Sequence, residues 1–201
     1  MNIENNNETE KDIILIQKIV HNKEIDLFKN LIEKYKSLVF NLSLKMIGNY
    51  NDANDITQEV FIKVYTKLKD YKIKYNFKDW LYSICLNTIK DRLRKRKFSF
   101  LSLDRHIQTD NGDFFFDIPD TDEYGNPEKN LFKKEQSKHL YKAILSLSTK
   151  YKTVIILKYI ENLPLEKISE ITKLSLPALK TRLFRAQKIL YKKLKNKPWR
   201  I

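Results

Sequence analysis

Residues 165–190 read "LEKISEITKLSLPALKTRLFRAQKIL". Ile168 and Ile171 recur at helical spacing, and Leu179 and Leu183 do so again after a short break. Leu174 places an apolar residue at the turn, Ser175 is a capping type, and Pro177 suits the first turn of the helix that follows. The stretch therefore predicts two helices, near 164–172 and 176–196, forming a helix-turn-helix. The outward face of the second carries Lys180, Thr181, Phe184, Arg185 and Lys188. Such a face suits entry into a DNA major groove. It also suits the solvated side of an ordinary amphipathic helix, and the pattern alone leaves both readings open.

Upstream, helical spacing continues over 132–146 and 149–160. Between about 98 and 135 it stops. That stretch, with "DNGDFFFDIPDTDEYGNPEKN" at its centre, holds Gly112, Gly125, Pro119 and Pro127 and is dense in turn formers. It reads as a linker, able to reach about 130 Å when fully extended and averaging about 35 Å as a flexible coil. Its Phe114-Phe115-Phe116 run suits docking onto a groove. Asp120 and Asp122 do not continue into a calcium-loop spacing, because a Tyr and a Leu fall where oxygen ligands belong.

Before the linker the same helical logic gives segments at 12–22, 25–47, 53–69 and 78–96. "GNYND" (48–52) breaks the pattern, and Asp52 is placed to cap the third segment. That helix buries Ile56, Val60, Phe61, Val64 and Leu68 and exposes Asp55, Gln58 and Glu59. The fourth lies within "NFKDWLYSICLNTIKDRLRKRK" (76–97), with a seam of Leu81, Ile84, Cys85, Ile89 and Leu93. Its aromatic head, central Asn87 and basic tail make sense together for unpaired DNA. Aromatic faces stack extruded bases, Asn87 can bond a base edge, and Arg92, Arg94, Lys95, Arg96 and Lys97 can hold phosphates. Ordinary core packing accounts for most of Trp80. The loop "KDYKIKYNF" (69–77), with Tyr75 and Phe77, is better shaped to wrap a base.

Charge follows the same division. The chain of 201 residues has net charge +14. Residues 28–97 carry 16 cations and 7 carboxylates, 98–135 carry 4 and 9, and 136–201 carry 16 and 3. Two basic blocks flank an acidic stretch, a balance that favours a polyanionic partner. One cysteine, Cys85, excludes an internal disulfide and a Cys-cluster zinc site and fits a reducing cytosol. No apolar run exceeds four residues, as in "VIIL" at 154–157, which is too short to span a bilayer. The polar, acidic start does not read as a signal peptide. His21, His106 and His139 are scattered, so no metal, cofactor or catalytic constellation is expected. No helix has the aromatic, cationic amphipathicity of a membrane-surface segment. The expected fold class is all-α: two small helical domains, at 10–97 and 136–196, joined by an acidic flexible linker at 98–135.

Three motifs in this order, "DANDITQEVFIKVY" (52–65), "WLYSICLNTIKDRLRKRK" (80–97) and the helix-turn-helix, resemble bacterial RNA polymerase sigma factors of the extracytoplasmic-function group. The resemblance covers nearly the whole chain. It implies an alternative sigma factor, not an enzyme, that binds core RNA polymerase in the cytoplasm and directs promoter-specific initiation. It implies that 10–97 is sigma region 2, with Asp52, Asp55, Gln58 and Glu59 docking on the clamp helices of the beta-prime subunit. Tyr75, Phe77, Trp80, Asn87, Arg92, Arg94, Lys95 and Arg96 would then recognise and melt the minus-ten element. It implies that 136–196 is region 4, meeting the beta flap and reading the minus-thirty-five element through Lys180, Thr181, Phe184, Arg185 and Lys188. The linker would thread the polymerase cleft. An anti-sigma factor, frequent in the family, is a further partner. The alternative is a helix-turn-helix regulator that works without polymerase, an account that leaves the 52–65 helix without a role. The chain departs from the family pattern at Asn54, which replaces an acidic residue. It departs again at Ser169, at Pro177, and at Lys173, which stands where the turn usually has Gly; a non-Gly residue at positive φ costs about 1 kcal/mol.

Overall fold

The computed structural model describes residues 3–21, 24–73, 76–102 and 127–195, and among these it is helical throughout, with no strand. Two compact units divide the chain.

The first unit holds α1 (Ile3–His21), α2 (Phe28–Ile47), α3 (Tyr50–Lys67) and α4 (Phe77–Ser102). Short 3-10 turns precede α2 and follow α3. Leu31, Val39, Leu42 and Met46 of α2 are fully buried with Ile56, Val60 and Val64 of α3 and Leu81, Cys85 and Ile89 of α4. Each such aliphatic side chain contributes about 1.5–3 kcal/mol of transfer free energy. Cys85 is a small core residue, its Sγ 3.7 Å from Ser43 Oγ. The sequence places α1 from about residue 12, but it begins nine residues earlier. Long-range anchors hold it. Asp12, 4% exposed, accepts from Lys34 Nζ at 2.6 Å and from the Tyr35 hydroxyl, because a buried carboxylate must be paired.

The α2–α3 break is built on Gly48. Its φ of 78° closes α2, and its N–H donates to Leu44 O at 2.7 Å. Asn49 is then extended, and its Oδ1 accepts from Asp52 N at 2.9 Å. Asn49, not Asp52, is therefore the cap, and α3 starts three residues before the expected 53. Asp52 lies in the first turn, where a carboxylate also opposes the positive end of the helix dipole.

The second unit holds α5 (Pro127–Leu145), α6 (Thr149–Ile155), a π turn at Ile156–Ile160, most of α7 (Leu165–Thr172) and α8 (Leu176–Leu194). Val154, Ile156, Leu157, Leu179 and Ala186 form its buried interior. Lys152 is also buried, and that burial lowers its ammonium pKa to about 8. The helix expected over 149–160 is thus α-helical only in its first half. The wider turn is marked by Glu161 N bonding Ile156 O at 2.9 Å. Helix also occupies both ends of the span expected as linker, 98–102 and 127–135. No Gly or Pro interrupts α4 there, and Pro127 is pre-set for a helix start. The centre of the linker, with Phe114–Phe116, lies outside the described residues, as does Tyr75.

The turn between α7 and α8 follows the sequence. Lys173 takes φ 57°, ψ 32°. Ser175 Oγ accepts from Ala178 N at 3.4 Å, with Pro177 in the first turn. Ser169 Oγ donates to Leu174 O and braces the loop from the α7 side. Lys173→Gly should therefore stabilise the chain by up to about 1 kcal/mol, offset in part by the greater freedom glycine has when unfolded. Denaturant titration reads this; no gain would mean that the left-handed turn carries no strain.

Candidate nucleic-acid and polymerase interface

α8 separates its faces cleanly. Leu179, Leu183 and Ala186 point inward, while Lys180, Thr181, Phe184, Arg185 and Lys188 are exposed. Phe184 is 65% exposed, an aromatic ring that packing does not require. Thr181 Oγ1 donates to Pro177 O at 2.9 Å, which fixes the hydroxyl and leaves its lone pairs outward. The helix contains no carboxylate. Further along, Gln187 Nε2 donates to Tyr159 Oη at 2.6 Å, a pair that spans 28 residues and has no local signal in the sequence.

The aromatic head of α4 is more core than surface. Phe77 is 1% exposed, its ring centroid 5.3 Å from Tyr35 and 5.7 Å from Tyr71. With both neighbours packed on it, Phe77 has no face left for a base, and the sequence-level assignment of it to base contact is corrected to a core role. Trp80 is half-buried, its ring tilted against Tyr71 at 5.2 Å and against Phe77 at 5.7 Å. Burial first, then the charges of Asp12 and Asp79, push the Tyr71 hydroxyl up to about 12, so it stays a neutral donor. Asn87 and Lys95 are exposed, and Arg94 pairs with Asp91 at 3.2 Å.

Arg92 and Arg96 of α4 meet the carboxylates of α3. Arg92 Nη2 lies 2.7 Å from Asp55 Oδ2 and 3.5 Å from Asp52 Oδ1, and Arg96 Nη1 lies 3.2 Å from Asp52 Oδ2. Glu59 pairs with Lys63 at 2.7 Å, and Lys63 also reaches Thr88 Oγ1 at 3.2 Å. The resemblance made Asp52, Asp55, Gln58 and Glu59 a docking patch for the polymerase. Within this unit, α4 and Lys63 supply cations to three of its four members, leaving Gln58 exposed. A signal for this existed: Asp52 and Asp55, three apart, and Arg92 and Arg96, four apart, each share one helix face. Beside Gln58 runs a groove of about 450 Å³ lined by Phe28, Ile32, Lys36, Thr57, Phe61, Ile62 and Tyr65, and Ile62 is 65% exposed. Among the described residues no helix is long and apolar enough to cross a membrane.

Comparisons with known proteins agree on the family. Residues 31–99 match Sigma-70 region 2 and residues 138–190 match Sigma-70 region 4. The ECF RNA polymerase sigma factor SigW of Bacillus subtilis is 35% identical over 171 residues, covering 85% of this chain and 90% of that protein. RNA polymerase sigma factor SigV of the same organism is 31% identical, covering 82% and 89%. Among solved structures, CnrH in complex with the cytosolic domain of CnrY gives a TM-score of 0.60 at 18% identity, covering 90% of this chain and 96% of that one. Sigma factor RpoE in complex with the anti-sigma factor NepR from Bartonella quintana gives 0.62 at 22%, covering 84% and 97%; both are likenesses of fold. The chain belongs to the sigma-70 family of RNA polymerase sigma factors, in its extracytoplasmic-function group. It is an alternative sigma factor, a transcription initiation factor that works with core RNA polymerase at promoters.

Proposed function

We infer that the two units divide the work of initiation. The first docks on the beta-prime clamp helices through Asp52, Asp55, Gln58 and Glu59, and holds the melted minus-ten element with Asn87, Trp80 and the α4 cations Arg92, Arg94, Lys95 and Arg96. The second meets the beta flap and reads the minus-thirty-five element through Lys180, Thr181, Phe184, Arg185 and Lys188. The observation that carries the reading is the exposed face of α8, with Phe184 65% in water beside cations and no carboxylate on the helix. For the first unit, the support is an apolar groove bordering the polar α3 edge, the composition of a protein-docking surface. The protein performs no catalysis of its own and acts in the cytoplasm. An anti-sigma partner belongs to the proposal, since the solved RpoE was captured with one.

Docking is tested by reversing charge at Asp55 and Glu59. Each makes an exposed ion pair, worth about 0.2–1 kcal/mol, so the double variant should stay folded and lose affinity for core polymerase. Unchanged affinity on titration, with the fold intact by circular dichroism, would remove the clamp assignment.

A further inference from the structure

We propose that the pairs between α3 and α4 form a latch. In the free protein Asp52 and Asp55 hold Arg92 and Arg96 away from DNA, and polymerase docking on those carboxylates releases them. The inference rests on the reading above, in which the same two carboxylates meet the polymerase and the same two arginines meet phosphate. The geometry adds that both sets are engaged with each other. Arg92 bridges the two carboxylates at 2.7 and 3.5 Å, and Arg96 takes the second oxygen of Asp52 at 3.2 Å. All four side chains are partly exposed, so neither pairing is locked in the core and both are open to competition.

One carboxylate cannot serve a clamp cation and its own arginine equally well. A polymerase cation that takes Asp55 therefore weakens its hold on Arg92. By linkage, phosphate bound at Arg92 and Arg96 also frees the carboxylates for polymerase. The two binding events become mutually favourable through four side chains with no change in backbone. The free chain is held back from DNA, although its first unit is basic. Sequence-independent DNA binding is driven by cations that displace counterions from phosphates, and here two of those cations are already paired.

The test measures the full-length protein without polymerase, binding a single-stranded oligonucleotide by fluorescence anisotropy across a salt series. Asp52→Asn/Asp55→Asn should raise affinity about 2- to 10-fold at low salt. It should also steepen the dependence of log K on log salt by about 0.7 per released arginine. A control, Asp26→Asn/Glu33→Gln, removes two exposed carboxylates elsewhere in the same unit and measures the general field effect. Adding Arg92→Gln/Arg96→Gln to the Asn variant should abolish the excess gain, while the same change in the wild-type chain should cost little. A gain no larger than the control's, or one that survives loss of both arginines, overturns the latch. With core polymerase and a premelted template, Arg92→Gln/Arg96→Gln should weaken binding in an otherwise wild-type chain, and no effect there also overturns it. Failure of clamp docking would appear separately, as unchanged polymerase affinity in the Asn variant.

Discussion

Phe77→Ala should destabilise the first unit by about 3–5 kcal/mol. The ring sits at the start of α4, 1% exposed, between Tyr35, Tyr71 and Trp80 with centroids 5.3–5.7 Å away. Removing it opens a cavity that three other rings cannot all collapse into, and it deletes edge contacts worth about 0.5–1.5 kcal/mol per pair. Small domains are stable by only about 5–15 kcal/mol, so much of the margin disappears. Phe77→Leu, which keeps most of the volume, should cost less than about 1.5 kcal/mol and retain promoter melting. Urea unfolding of both variants decides the matter. A loss under 1 kcal/mol for the Ala variant, with melting abolished, would return Phe77 to the base-binding surface.

Arg185→Ala should cost about 1–3 kcal/mol of promoter binding and relax specificity at one upstream position, as expected of a bidentate base contact. Arg185 is on the exposed face of α8 next to Phe184, so its loss should leave the fold intact. Asn87→Ala should behave differently. Unpaired bases exist only after melting, so a group that holds them stabilises the open complex and spares the closed one. A premelted bubble should partly rescue Asn87→Ala, because it removes the unpairing cost, and should do little for Arg185→Ala. Permanganate footprinting on duplex and bubble templates separates them. Wild-type melting by Asn87→Ala on duplex DNA would reduce the exposed middle of α4 to a solvated helix face.

The helices and their buried seams were legible because period and turn chemistry agreed. Ser175 caps and Pro177 follows it, as local residue types favour, and the chain turns left-handed at Lys173 against its residue type. Where two local rules competed, the outcome was not legible. Asn49 and Asp52 are both capping types, and only the backbone reversal at Gly48 selects the first. The π turn at Ile156–Ile160 falls in an apolar run that suits an α-helix equally well. At the site, exposure was the missing variable. Phe77 and Phe184 are the same residue type, each in a Lys- or Arg-containing stretch, yet one is core and the other lies in water. The α3–α4 pairs were hidden by a sequence separation of 37 to 44 residues, although the pitch-matched spacing of both partners foreshadowed them.

The central claim is that this chain reads promoters only as part of the polymerase. Two small modules gain little avidity unless a scaffold fixes their spacing, and here the scaffold is the core enzyme. The direct measurement is reconstitution with core RNA polymerase on a panel of genomic fragments, with start-site mapping and, in parallel, binding of the protein alone to the same fragments. Defined start sites that depend on the added protein, together with weak and unselective binding by the protein alone, are the predicted result. Tight, sequence-specific binding to duplex promoter DNA without polymerase would contradict it.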